Sequence, residues 1–300
     1  MTGRLERILR DGTFAVTAEI VPPRSADPEA VREQARAIAG HVDAANVTDS
    51  PTSAAHMSPV AGSALVAAEG LEPVIQLTTR DRNRLALTGD LLGAWAVGAR
   101  NVLCLTGDPV KVGEDPAATQ VRDLTVLDLV RLAVRLREEG RSLTGQEIDP
   151  PPRYLVGVAD VPLEPGYDPG RLDQKLDAGA SFIQTQIVYD AAAFADWAEN
   201  ARARGVFDRA SVLVGLAPPR SEGSLRFMRE HLPGVVVPDA VVERLREADD
   251  PAAEGVKLTV EILDAARRID GIAGVHLMGL GRGDAVRRVV EDAGLLPRPG

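Results

Sequence analysis

The sequence predicts an α/β protein built as a single (β/α)8 barrel of the TIM type, and three observations carry that prediction. Eight short runs rich in Val, Ile, Leu and Ala recur along the chain. Their starts are mostly spaced by about thirty residues, the length of one βα unit. Several runs are apolar almost throughout, without alternation, as strands buried on both faces of a parallel sheet are. No GxGxxG follows the first run, which removes the usual signature of the rival arrangement, an open doubly wound sheet.

Taken in order, the first run is Phe14–Val21, closed by the pair Pro22–Pro23, which cannot continue a strand ladder. The amphipathic stretch DPEAVREQARAIAGHV follows, with an acid at its start and Gly40 near its end, the ordinary punctuation of a helix. The second run is Ala44–Thr48 and the third Pro73–Thr78, after which DRNRLALTGDLLGAWAVGA reads as another helix. Then come Asn101–Thr106, Tyr154–Ala159, Phe182–Val188, Val212–Leu216 and Gly274–Leu280. Longer intervals separate the fourth run from the fifth and precede the eighth. No linker, low-complexity tract or charge block divides residues 1–300, which are expected to form one catalytic barrel domain.

Composition narrows the function. Hydrophobic residues make up 45% of the chain but aromatics only 3%, so the core must be aliphatic. A net charge of −10 and a pI near 5.0 disfavour nucleic acid and membrane surfaces as partners. An anionic ligand must therefore meet a local group of Arg and Lys. The single cysteine, Cys104, excludes an intramolecular disulfide and a Cys-based zinc site, and reads as a small core residue. The opening MTGRLERILRDG has no apolar signal core, and no apolar stretch is long enough for a bilayer, so a soluble cytoplasmic protein is expected. His41, His56, His231 and His276 show no metal-ligand spacing, and no metal is expected. GxSxG, P-loop and HExxH motifs are absent.

In such a barrel the chemistry sits at the C-terminal ends of the strands. Those positions hold Glu19, Thr48, Asp49, Gln76, Thr78, Gly107, Asp108, Asp160 and Gln186. Glu19, inside FAVTAEIVPP, either points into the barrel mouth or lies on the surface, and the prolines behind it favour the mouth. Gly107 would let a ligand approach the backbone and Asp108 would present an acid, although a plain Gly-Asp turn accounts for the pair equally well. Gln186 offers donors and an acceptor that suit a heterocycle such as a pterin, or it bonds to neighbouring backbone. Arg171, Gln174 and Lys175, like Arg80, Arg82 and Arg84, either neutralise a diphosphate or line a solvated helix face.

Three segments together, AEIVPPR, NVLCLTGDP and LDAGASFIQTQIVYD, resemble the methylenetetrahydrofolate reductase family, in order and over nearly the whole chain. The resemblance implies a (β/α)8 barrel that binds a flavin and reduces 5,10-methylenetetrahydrofolate to 5-methyltetrahydrofolate. Carried over position by position, it makes Glu19 the acid that protonates the folate. Asp108 becomes a carboxylate that favours the iminium cation, and Gln186 a folate ligand. It sets Thr48, Gln76, Leu105, Thr106 and Gly107 along the isoalloxazine and ribityl chain, with Ala159 and Asp160 also against the cofactor. Asp168, Arg171 and Lys175 face the ribose and diphosphate of FAD, and NAD(P)H is the implied electron donor.

The chain also departs from well-known bacterial members. Gln76 replaces a His, Asp160 replaces a Tyr, Gln120 and Val121 stand where an aromatic is common, and APPRSEGS lacks the aromatic that stacks on substrate or nicotinamide. These changes look like the branch linked to one-carbon catabolism or acetogenic metabolism. They leave FMN or no flavin open, and with it a partner protein as donor or a homo-oligomer. Three other readings stand beside the flavoenzyme: a flavin-free reductase taking hydride directly from NAD(P)H, a pterin-binding methyltransferase barrel, and a non-catalytic scaffold. For the first reading the chemistry is coherent. Burial among Val16, Ile20 and Val21 would raise the pKa of Glu19, keeping it an acid near neutral pH.

Overall fold

Eight parallel strands close on themselves in sequence order: β1 (Ala15–Ile20), β2 (Ala44–Val47), β3 (Pro73–Thr78), β4 (Asn101–Leu105), β5 (Leu155–Asp160), β6 (Phe182–Ile187), β7 (Ser211–Leu216) and β8 (Ile272–Leu277). This closed (β/α)8 barrel comes from a computed structural model that describes residues 2–279 and 282–299. Each expected run overlaps its strand, with β5 ending one residue beyond its run, β7 starting one residue before its run and β8 two residues before. The last residue of the eighth run, Leu280, lies outside the described residues. At β5 the strand starts one residue late because Tyr154 is drawn into the helix layer. Its hydroxyl donates to the Leu91 carbonyl at 2.5 Å and its ring meets Trp95 edge-on.

Side chains alternate along each strand. One set packs outward under the helices and forms the main aliphatic core, with Val16, Ile20, Ile75, Val102, Val158, Ile183 and Val214 among its members. The inward set starts at the N-terminal end with Ala15, Ala44, Val74, Leu103, Leu155, Phe182 and Leu213. Leu5 and Ile8 join this second cluster from the helix Arg4–Arg10, which closes the bottom of the barrel. From the sequence alone, that segment shows only the lack of an apolar signal core.

Scarce aromatics make one ring decisive. Phe182 fills the barrel axis opposite Gly157, where an added Cβ would lie 2.1 Å from Phe182 Cζ. Gly157 is therefore a packing glycine.

The helical stretches fall where their caps place them. Glu29–Ile38 and Arg84–Ala96 are helices, the second capped by Asn83 through the N–H groups of Leu85 and Ala86. The long interval between β4 and β5 holds the helix Val126–Glu139, opened by a Thr125–Asp128 capping box. The interval before β8 is long because it holds three helices, Glu222–His231, Asp239–Glu247 and Pro251–Arg267. No helix among the described residues is long and apolar enough to cross a membrane.

Candidate active site

Two residues above the aliphatic floor, the inward positions turn polar. Gln184 on β6 and Asn46 on β2 exchange amide hydrogen bonds of 2.6 and 3.1 Å across the barrel. Gln184 Nε2 also lies 3.2 Å from Thr17 Oγ1 and 3.3 Å from His276 Nδ1, and these two are 3.0 Å apart. All four side chains are buried. Burial lowers the His276 pKa to about 3, so the imidazole is neutral. This floor was missed in the sequence. Its signal was present as single polar residues at inward positions of apolar runs: Asn46 in AANV, Gln184 in FIQTQ and His276 in GVHL.

Glu19 stands on the same inner face of β1, two residues above Thr17 and in register with Asn46. It is half-buried and has no hydrogen-bonding or ionic partner among the described residues. Burial pushes its carboxyl up to about 7. Thr48, just past β2, is buried with an unpartnered Oγ1, and Gln76 is buried on the inner face of β3.

The rim is set by a knot of charge that holds three loops. Asp49 Oδ2 accepts from Thr78 N at 2.7 Å and Thr78 Oγ1 at 2.9 Å, and is also bonded by Arg82. Arg80 is buried. It pairs with Asp81 at 2.6 Å and donates to the carbonyls of Ser50 and Asp108 at 3.3 and 3.4 Å. Arg84 grips Asp123 at 2.7 Å, and that bond holds the Asp123 carboxyl down at about 2. Each guanidinium of the arginine run is thus spent on a carboxylate of this chain, Arg80 buried and Arg84 exposed to solvent.

Gly107 follows β4 at φ +86°, a conformation open to glycine. A Cβ there would press on Thr78 and Arg80 at 3.0 and 3.1 Å. Leu105 packs on the barrel floor, Thr106 is exposed and Asp108 is half-exposed. Asp108 Oδ2 accepts from Thr52 N at 2.7 Å. That bond holds the segment 50–53, in which Ser50, Thr52 and Ser53 all have positive φ. Gln120 is exposed, and Val121 N–H donates to the Arg80 carbonyl at 2.8 Å.

The other predicted residues gather at β5 and β6 but turn elsewhere. Asp160 is buried and accepts from Tyr167 Oη at 2.8 Å; burial raises its pKa, against the pull of that bond and of Lys175. Lys175 Nζ donates to the Ala159 carbonyl at 2.6 Å, and burial lowers its pKa. Asp168 caps the helix Pro169–Asp177 through Gly170 N–H, and Arg171 is exposed, 4.0 Å from Asp168. Gln186 has both ends of its amide on backbone: Nε2 donates to the Pro233 carbonyl at 3.0 Å and Oε1 accepts from Ile187 N–H at 2.9 Å. Of its two readings, this geometry is the second.

A flavin meets a split reception. The unpartnered Thr48 hydroxyl, Gln76 and the bare Gly107 backbone suit its ring. At the diphosphate end, Lys175 gives one of its three N–H donors to the Ala159 carbonyl, Asp160 adds an acid beside it, and Arg171 is exposed.

A sequence model of the family described as methylenetetrahydrofolate reductase matches residues 4–294. The chain belongs to that family. Among similar proteins, methylenetetrahydrofolate reductase 1 of Schizosaccharomyces pombe is 28% identical over 241 residues, 75% of this chain and 36% of the relative. A probable methylenetetrahydrofolate reductase (NADPH) of Caenorhabditis elegans is 24% identical over 97% of this chain and 44% of its own length. The chain therefore spans less than half of these reductases. Among solved structures, a Clostridium thermocellum protein that binds two copies of 5-methyl-5,6,7,8-tetrahydrofolic acid superposes with a TM-score of 0.66 at 14% identity, covering 97% of this chain and 99% of that one. At that identity the likeness is one of fold.

Proposed function

We propose that the chain interconverts 5,10-methylenetetrahydrofolate and 5-methyltetrahydrofolate, with Glu19 as general acid. One observation carries the reading: a carboxyl on the inner face of β1 whose pKa burial lifts to about 7, with no cation beside it among the described residues. The substrate demands such a group. Its imidazolidine ring accepts hydride poorly until the departing nitrogen is protonated and the ring opens to an iminium cation. Glu19 can deliver that proton near neutral pH. The carboxylate of Asp108, held by Thr52 N–H, would favour the cation electrostatically. A family reductase in the nematode and a fold relative that holds methylated folate support the same substrate.

In the flavin reading, Thr48, Gln76, Leu105, Thr106, Gly107 and Ala159 would hold the ring of FAD, which would supply the hydride and be recharged by NAD(P)H. A second reading has a specific observation in its favour. Asp160, a buried acid at the end of β5 where a flavin diphosphate would approach, favours hydride passing directly from NAD(P)H. The visible absorption spectrum of the purified protein separates the two.

Glu19→Gln tests the acid in either case. It keeps the shape and loses the proton, so single-turnover reduction of methylenetetrahydrofolate should slow by about 10²–10⁴-fold. Wild-type turnover should also fall as pH rises through about 7. A variant that reduces the folate at near wild-type rate removes Glu19 from this role.

A further inference from the structure

Between β2 and the helix Pro59–Ala68 the chain takes a backbone path that side chains disfavour. Ser50, Thr52 and Ser53 have φ of +48°, +55° and +54°, the left-handed region that residues with a Cβ rarely enter. Such a conformation persists where its surroundings over-determine it, and here the surroundings are the loop after β4. Gly113 lies so close to Ser53 that an added Cβ would sit 2.3 Å from the Ser53 carbonyl oxygen. Its own φ is −87°, which any residue adopts, so the close approach alone calls for glycine. Glu114 takes hold on both sides: its N–H donates to the Ser53 carbonyl at 3.3 Å, and its Oε1 accepts from Ala55 N–H at 2.6 Å. Its Oε2 is paired with Arg24, just past Pro22–Pro23 in the loop after β1. Met57 N–H adds a bond of 2.9 Å to the Pro23 carbonyl of that loop.

One carboxylate thus ties together the loops that follow Glu19, Thr48 and Asp108. Its grip reaches the site through a single N–H. With Ser53 and Ala55 fixed, Thr52 N–H faces Asp108 Oδ2 at 2.7 Å, and among the described residues it is the one hydrogen-bond donor to that carboxylate. We propose that Glu114 is a positioning residue for the reaction: through residues 52–55 it holds the Asp108 carboxylate against the place where the iminium cation forms. The proposal rests on the role given to Asp108 above and deepens it. A carboxylate stabilises a developing cation to the extent that it is already aimed. One that is free to swing into solvent is screened, and must be reoriented at the moment of reaction. The bond that matters is the one from Ala55 N–H and not the ion pair, because Arg24 is 59% exposed and ion pairs open to water contribute little.

The experiment is steady-state reduction of methylenetetrahydrofolate by the full chain, with NADH or NADPH as donor and FAD present, in a double-mutant cycle with Asp108. Glu114→Ala removes the acceptor for Ala55 N–H. It should lower kcat by about tenfold, a typical loss for one charge-assisted hydrogen bond, with KM for the folate changed by less than about twofold. Glu114→Gln keeps an acceptor oxygen and should recover most of that loss, although the pair with Arg24 is gone. Gly113→Ala displaces Ser53 while Glu114 stays in place, and should reproduce the loss by a second route. Asp108→Asn should lower kcat by at least as much, and adding Glu114→Ala to it should slow turnover no further. Equal losses from Glu114→Ala in the wild-type and Asp108→Asn backgrounds overturn the proposal, and so does wild-type kcat in Glu114→Ala and Gly113→Ala alike. The role of Asp108 survives either result. Wild-type turnover by Asp108→Asn overturns that role and the role of Glu114 with it. A wild-type chain that leaves the folate unreduced overturns the folate reading itself.

Discussion

Glu19 and His276 titrate in opposite senses, and each leaves a mark on stability as well as on chemistry. The Glu19 carboxyl has its pKa raised from 4.5 to about 7, so between those values the folded chain holds a proton that the unfolded chain has lost. Folding stability therefore declines as pH rises through that window. Glu19→Gln removes the penalty, and its melting temperature should exceed that of wild type by more at pH 8 than at pH 5. Parallel thermal melts at the two pH values check this. For His276 the unfolded chain binds the proton first, below about 6.5, while the folded chain resists it down to about 3. Stability is lost as pH falls through that range, and His276→Gln should flatten the acid limb of the stability curve whatever its offset at pH 8.

At the level of elements, the site is made by loops that the charge knot holds in place. Asp49, Arg80 and Arg82 tie the ends of β2, β3 and β4 to one another, and the segment 50–53 reaches over to meet Asp108. The helix Pro169–Asp177 contributes Lys175, whose partner at rest is a backbone carbonyl. Lys175→Ala separates the two hydride routes. If a flavin diphosphate recruits this ammonium, flavin retention should weaken by about 1.5–3 kcal/mol, read by flavin titration of the apoprotein. If hydride comes directly from NAD(P)H, reductase activity needs no added flavin and the variant's kcat is insensitive to it.

Across the whole molecule, the two ends of the chain are joined beneath the barrel. Asp43, fully buried, accepts from Val16 N–H at 2.8 Å and pairs with Arg298 at 2.5 Å and Arg4 at 3.4 Å. Arg298 also donates to the Phe14 carbonyl at 2.8 Å. Removing one partner of a buried pair strands the other charge, so Arg298→Ala should cost about 3 kcal/mol in urea unfolding. The clasp lies at the end of the barrel away from the mouth, so ligand affinity should be preserved under conditions where the variant remains folded. The floor is equally intolerant. Gly157→Ala drives a methyl into the Phe182 ring, with a loss of about 1–3 kcal/mol read from the same denaturation curves.

Much of this was legible in the residues alone. Strand runs, capping residues and prolines are local signals, so the eight strands and their order could be read before any packing was known. Glu19 was legible for the same reason: a charged residue among Val16, Ile20 and Val21, three positions before a proline pair, has few places to go. Side-chain partners across the barrel were not legible, because they join residues 138 apart, as Asn46 and Gln184 are. Nor did the sequence show that Arg80 is buried, that Lys175 bends onto Ala159, or that Gln186 spends its amide on Pro233 and Ile187. The order and type of the elements follow from short-range periodicity and turn chemistry. Which polar groups remain free for a ligand was decided only by closure of the barrel, since each donor takes whatever acceptor the tertiary structure brings within reach.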